Sequence, residues 1–204
     1  MENVAVLIDA HYLDLISKEF GLPGEKHIDI KELAVQMARQ NNLWLKQVFL
    51  YTCPPFQSSK PTLDESSRKA KYDRFKTKIG NLGVVVREGR LQKLRVENNG
   101  NIIDKFTEKG VDTWFTIDLL RLHRADIKNA ILLTCDTDFV PVIKAAKEDG
   151  LRVILYYYTD GAKKSRFSLS YYLSSECDSK VLITKELIER STLHSILRHF
   201  IVIH

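Results

Sequence analysis

The 204 residues, 44% hydrophobic and 28% charged, hold enough apolar material for one folded domain without disulfide support. A formal charge of +5 and a pI near 9.0 favour a polyanionic partner such as nucleic acid, without establishing one. Cys53, Cys135 and Cys177 form no CxxC or CxxH pair, which argues against a zinc knuckle and suits reduced thiols in a cytoplasmic protein.

No run reaches the roughly 18 apolar residues of a membrane span. The opening MENVAVLIDAHYL lacks a basic start and meets Asp9 too early for a secretory signal, so no membrane partner is expected. NVAVLID (3–9) is a short continuous apolar run, the pattern of a central parallel strand. A helix follows over 29–42, capped by Asp29, with Ile30, Leu33, Ala34, Met37 and Ala38 along one stripe. QVFLYT (47–52) is a second strand, and the proline-rich CPPFQSSKPT after it is a loop. A charged helix over 63–82 turns Tyr72, Phe75, Ile79 and Leu82 inward, and GVVVRE (83–88) is a third strand.

LRVENNGNIID places β-formers on either side of Asn98-Asn99-Gly100-Asn101, a hairpin signal, so an excursion from the sheet is expected near 91–104. KGVDTWFTIDLLRLHR (109–124) is a helix or its approach, and NAILLTC (129–135) a fourth strand. FVPVIKAAKEDG forms a helix with Pro141 in its first turn and Gly150 at its end. LRVILYYY (151–158) is a fifth strand, and the tail 162–204 carries a basic loop and one or two helices. This alternation predicts an α/β fold: a parallel sheet of about five strands with helices on both faces. No repeat or linker interrupts it. One domain is expected over 1–183, with 184–204 a helical extension packed on it.

Functional groups of open parallel sheets collect at the carboxyl ends of strands. Asp9 ends the first strand, and Asp136 and Asp138 follow the fourth. Asp112 opens the helix that leads into the fourth strand. Each has a plainer role available: Asp9 could cap a following helix, Asp138 could cap the helix at FVPVI, and Asp112 could face the positive end of its own helix. Asp136 is harder to explain as a cap once Asp138 fills that place. Asp118 lies among Trp114, Phe115, Ile117, Leu119, Leu120 and Leu122, so it either supports the site from behind or pairs with a cation such as Arg121. Converging carboxylates repel unless they are protonated or neutralised by a cation, and all-oxygen ligands favour Mg²⁺ or Mn²⁺ over zinc. Such an ion can bind a phosphate oxygen and activate water, which suits phosphodiester hydrolysis by a basic protein.

LIDA (7–10), KGVDTWFTIDLLRL (109–122) and LLTCDTDFVPVIKAAKEDGLRVIL (132–155) resemble the NYN domain, in the LabA-like branch of the PIN-like nuclease superfamily. The resemblance extends over about residues 3–183 and includes the YTCPP loop and the GRLQK segment. It implies a Rossmann-like sheet in PIN-type order. It also implies a metal-dependent ribonuclease in which Asp9, Asp112, Asp136 and Asp138 hold Mg²⁺ or Mn²⁺, with Asp118 at a recurrent acidic position and Lys109 at the basic one. Two positions depart from the family pattern. Tyr12, preceded by His11, stands where asparagine usually follows the first aspartate, and Cys135 replaces the usual glycine before Asp136.

Lys109, Arg87, Arg90 and Lys93 are candidate phosphate contacts, with Lys163, Lys164 and Arg166 in the basic loop. Tyr12, Tyr156, Tyr157 and Tyr158 are candidate base-stacking groups, although Tyr156 to Tyr158 should include core residues. The expected partner is RNA, with other nucleic acid and homo-oligomerisation left open. The alternative reading is a non-catalytic RNA- or protein-binding module with a weakened site. A haloacid-dehalogenase-type phosphatase is disfavoured because His11 occupies the position of its second aspartate, and a dinucleotide enzyme because no GxGxxG follows a strand.

Overall fold

Strand β1 (Asn3–Asp9) is covered on both faces, and its five central residues are all buried. Val4, Val6 and Ile8 face one helical layer while Ala5 and Leu7 face the other, which is why its sequence is continuously apolar rather than alternating. The computed structural model describes residues 1–22, 28–98, 101–160 and 169–192.

Helix α1 (Ala10–Glu19) leaves β1 directly, and α2 (Ile30–Gln40) is capped by Asp29, which accepts from the Glu32 N–H at 2.9 Å. After β2 (Trp44–Thr52), α3 (Leu63–Asn81) starts in a reciprocal capping box between Thr62 and Glu65. Tyr72 and Ile79 of α3 are buried as predicted, but Leu82 lies beyond the helix end and is 43% exposed. Then come β3 (Val84–Glu88), the hairpin β4 (Arg90–Asn98) and β5 (Asn101–Lys109), and α4 (Val111–Arg121). The chain continues through β6 (Asn129–Leu133), α5 (Val140–Glu148), β7 (Arg152–Tyr157), α6 (Tyr171–Glu176), β8 (Ser179–Leu182) and α7 (Lys185–Arg190).

The main sheet has six strands, all parallel, in the order β3-β2-β1-β6-β7-β8. About five were expected. The sixth, SKVL, has no fully buried residue and sits at the sheet edge, so it carries no apolar signature. Helices α1, α2, α3 and α7 contribute to the core on one face, and α4, α5 and α6 to that on the other. The strand order grows outward from β1 to β3, then reverses and grows outward from β6 to β8. The reversal falls between β1 and β6, where open α/β sheets form their ligand crevice.

The hairpin occupies the return from β3 to β6. It is longer than predicted, pairing from Arg90↔Lys109 to Asn98↔Asn101. Its base is clamped at Gly89, where a Cβ would lie 2.5 Å from Val111 Cγ2, 2.6 Å from the Lys109 carbonyl oxygen and 2.9 Å from Cys53 Sγ. A side chain at 89 would therefore displace the strand that carries Lys109. Gly110 follows with φ of 85°, a left-handed turn that starts α4 immediately after β5. Leu187 and Ile188 of α7 are buried in the same core as α1 and α2, and Asp29 N–H donates to the Ser191 carbonyl. The predicted basic loop Lys163, Lys164 and Arg166, and the tail from 193 on, lie outside the described residues.

Candidate functional site

Asp9 is the last residue of β1 and the N-cap of α1. Its Oδ1 accepts from the His11 N–H at 2.9 Å and the Tyr12 N–H at 3.2 Å. Burial raises its pKa from 3.8 to about 6, against the lowering effect of those two backbone bonds. Beyond the adjacent β6, the buried Thr134 accepts from the Asp136 N–H through Oγ1 at 3.2 Å. Asp136 then caps the short 3₁₀ turn Thr137–Phe139, its Oδ1 accepting from the Asp138 N–H at 2.9 Å. This reverses the roles expected from sequence. Asp136 is the cap and Asp138 is exposed, while α5 begins one residue after Phe139 with no side-chain cap. A 3₁₀ turn between the motif and the helix moves the capping position two residues upstream.

Asp112 lies in the first turn of α4. Its pKa is raised by partial desolvation and then by the charges of Asp136 and Asp138, so these three carboxylates repel one another across the rim. Asp9 joins them through Cys135, whose thiol is pushed up to about 12 by burial and by the charges of Asp9 and Asp136. Glu108, the last acidic residue of β5, lies close enough for its charge to act on Asp9 and on the Cys53 thiol. Sequence reasoning missed Glu108 because it ended the hairpin at 104, although the residue directly precedes Lys109 in EKGVD.

Among the described residues no group of three or more His, Cys, Asp or Glu stands positioned to hold a metal ion. The donor chemistry nonetheless suits a hard cation. Asp9, Asp112, Asp136 and Asp138 offer only oxygen; burial raises the pKa of Asp9, and desolvation followed by the charges of Asp136 and Asp138 raises that of Asp112.

Asp118 is 3% exposed on the inner side of α4. Its partner is Arg87 of β3, not Arg121: Nε donates to Oδ2 and Nη2 to Oδ1, both at 2.7 Å. The Tyr51 hydroxyl donates to Oδ2 at 3.2 Å. Arg87, expected at phosphate, is thus committed to Asp118, and its guanidinium lies 5.0 Å from the Trp114 ring centroid and 5.9 Å from that of Phe49. Lys93 is likewise engaged, by Asp104 across the hairpin at 2.7 Å and by the Phe56 ring. Arg90 and Lys109 are both exposed and line a cavity of about 390 Å³ with Glu88, Gly89, Gly110 and Trp114.

Most of the tyrosine candidates are core residues. Tyr12 and Tyr156 are at most 1% exposed, and Tyr158 is 8% exposed. The Tyr12 hydroxyl accepts from the Tyr158 N–H at 2.9 Å, tying α1 to the end of β7. Tyr157 is half-buried. Trp114, near the start of α4, is a partly exposed aromatic group that the tyrosine candidates did not include, and it is 38% exposed.

A six-stranded parallel sheet reversing at β1/β6, with carboxylates on the rim at that reversal, defines a doubly wound α/β protein with an acidic site. The chain belongs to the NYN domain family, whose model matches residues 3–183, and with it to the PIN-like nuclease superfamily. Among solved structures it is similar to a Vibrio parahaemolyticus protein of unknown function, with a TM-score of 0.56 and 16% identity over 91% of this chain and 94% of that one. This likeness concerns the fold. A hypothetical protein from Neisseria gonorrhoeae, solved with bound ppGpp, covers 78% of this chain and 80% of its own at 12% identity, but with a TM-score of 0.25. Among curated proteins there is no significant match.

Proposed function

We propose that the chain is a ribonuclease that hydrolyses RNA phosphodiester bonds with Mg²⁺ or Mn²⁺. The observation that carries this reading is the gathering of Asp9 and Asp136 at the β1/β6 reversal with Asp112 inside the field of Asp136 and Asp138. Asp9, Asp112, Asp136 and Asp138 would hold the ion; when bound, it supplies a countercharge, polarises a phosphate oxygen and lowers the pKa of water. The backbone bonds to Asp9 and the turn capped by Asp136 fix where those carboxylates stand. Arg90 and Lys109 bind the phosphates flanking the scissile one. Unpaired Cys53, Cys135 and Cys177 suit a reducing compartment, so the proposed location is the cytoplasm.

The test is cleavage of end-labelled RNA and DNA with Mg²⁺, Mn²⁺ or chelator, beside Asp112→Asn and Asp136→Asn. Metal-dependent cutting of RNA that both variants lose supports the reading. Equal cutting by all three proteins rejects the site. The second reading, an RNA- or protein-binding module without catalysis, is favoured by the lack of a closed three-ligand group among the described residues. It predicts no cutting of any substrate and no stabilisation by Mn²⁺.

A further inference from the structure

Trp114 is held from one side. Asp118 is buried and fixes the Arg87 guanidinium by two bonds, and that guanidinium lies 5.0 Å from the indole centroid. An aromatic ring backed in this way loses little further freedom when a second flat group meets it. The indole is 38% exposed and lines the cavity of about 390 Å³ that also carries Arg90 and Lys109. Glu88 lines it too, but its carboxylate is engaged by the Tyr72 hydroxyl and the Lys76 ammonium. A partly exposed aromatic beside two cations is what a single-stranded nucleic acid requires: a π-face for a base and positive charge for the backbone.

We infer that Trp114 stacks an unpaired base of the RNA, with Arg90 and Lys109 holding its adjacent phosphates, and that this cleft selects single strands over duplex. Trp114 and Asp112 both lie near the start of α4 but point about 200° apart around it, and the cleft opens beside Lys109 and Gly110 where that helix begins. Bases inside an A-form duplex have no free face to offer. The inference rests on the ribonuclease reading only for the choice of RNA as ligand.

The experiment is done in chelator, so that binding is measured whether or not the protein cuts. Trp44 begins β2, at the end of the sheet opposite the carboxyl rim, and Trp44→Phe leaves Trp114 as the sole indole. Titration of that protein with a short unstructured RNA should quench its fluorescence, and the same RNA annealed to its complement should not. By anisotropy Trp114→Ala should bind the single strand at least about 5-fold more weakly, while Trp114→Phe stays within about 2-fold of wild type. Circular dichroism confirms that the variants fold, and the quenching arm needs no change at Trp114. Unquenched fluorescence, equal binding of duplex, or undiminished binding by a folded Trp114→Ala each overturns the inference. Trp114-dependent binding without cleavage under Mg²⁺ or Mn²⁺ leaves it standing and rejects the catalytic reading alone.

Discussion

Arg87 holds Asp118 through two parallel hydrogen bonds of 2.7 Å, reaching from β3 to the inner side of α4. The Arg87 side chain is 30% exposed and that of Asp118 4%, so the two ends of the pair differ in their access to water. The pair pins α4, which carries Asp112 in its first turn, to the sheet, and the Tyr51 hydroxyl completes it from β2.

The unequal exposure predicts an unequal response to mutation. Arg87→Met strands an ionised or protonated carboxyl in the interior and should cost about 3–5 kcal/mol. Asp118→Asn removes the charge but keeps an acceptor for Tyr51, and the freed guanidinium reaches solvent; the loss should be nearer 1–2 kcal/mol. Urea denaturation of both variants measures the difference, and equal losses would contradict it.

Asp9 predicts a pH dependence in metal-free buffer. Its carboxyl titrates at 3.8 in the unfolded reference and at about 6 in the fold. Between those values the native state holds more protons, so Asp9's contribution is fully favourable below about 4 and is lost as pH rises through 6. Asp9→Asn keeps an oxygen for the His11 and Tyr12 N–H groups without the buried charge. It should therefore be more stable than wild type at pH 7.5, by on the order of 1–2 kcal/mol, with the advantage vanishing at pH 4. Paired denaturation curves at the two pH values test this. A gap that does not change with pH would show that Asp9 is not desolvated.

The frame of this protein was legible because its central strands are buried on both faces: NVAVLID and NAILL are short continuous apolar runs of strand length. The β8 strand was not, since four half-exposed edge residues leave no pattern. The acidic site was legible as a set of positions, because strand ends are where an apolar run stops at a charge. The roles within the set were not. Asp136 and Asp138 exchange capping duties through a 3₁₀ turn that spacing alone does not reveal. Arg87 could not be told from a surface cation, because its partner Asp118 stands 31 residues away and meets it only when α4 packs on β3.

Divalent binding should be visible as stability. If Asp9, Asp112, Asp136 and Asp138 share an ion, Mn²⁺ at a hundredfold excess over its dissociation constant adds about 2.7 kcal/mol, or roughly 5–10 °C in Tm for a chain of this size. Asp112→Asn and Asp136→Asn should lose most of that rise while keeping their metal-free Tm within a few degrees. Differential scanning fluorimetry with Mn²⁺, Mg²⁺ and Ca²⁺ provides the reading. An unshifted wild type would leave the site without a metal role.

Gly89 tests the clamp at the hairpin base. In Gly89→Ala the new methyl meets Val111 Cγ2 and the Lys109 carbonyl inside contact distance, and the carbonyl is backbone that cannot rotate away. The expected cost is about 1–3 kcal/mol. Because Lys109 and Gly110 move together, weaker RNA binding should accompany it. A variant with wild-type stability and binding would show the hairpin base to be freely adjustable.

Tyr12 stands where the family pattern places asparagine, and the structure gives its side chain a different task. It is 1% exposed in the core beneath α1, and its hydroxyl accepts from the buried Tyr158 N–H at 2.9 Å. Tyr12→Phe removes that acceptor from the Tyr158 N–H at a cost of about 1–3 kcal/mol. Tyr12→Asn restores the family residue but empties the volume of a ring, and should cost about 3–5 kcal/mol. The shorter side chain also cannot span from α1 to the end of β7, so the Tyr158 bond is lost as well. Cleavage by folded Tyr12→Asn at low temperature should therefore not exceed that of wild type. If the variant is as stable as wild type and cuts faster, Tyr12 is a substitution within the site rather than a part of the core.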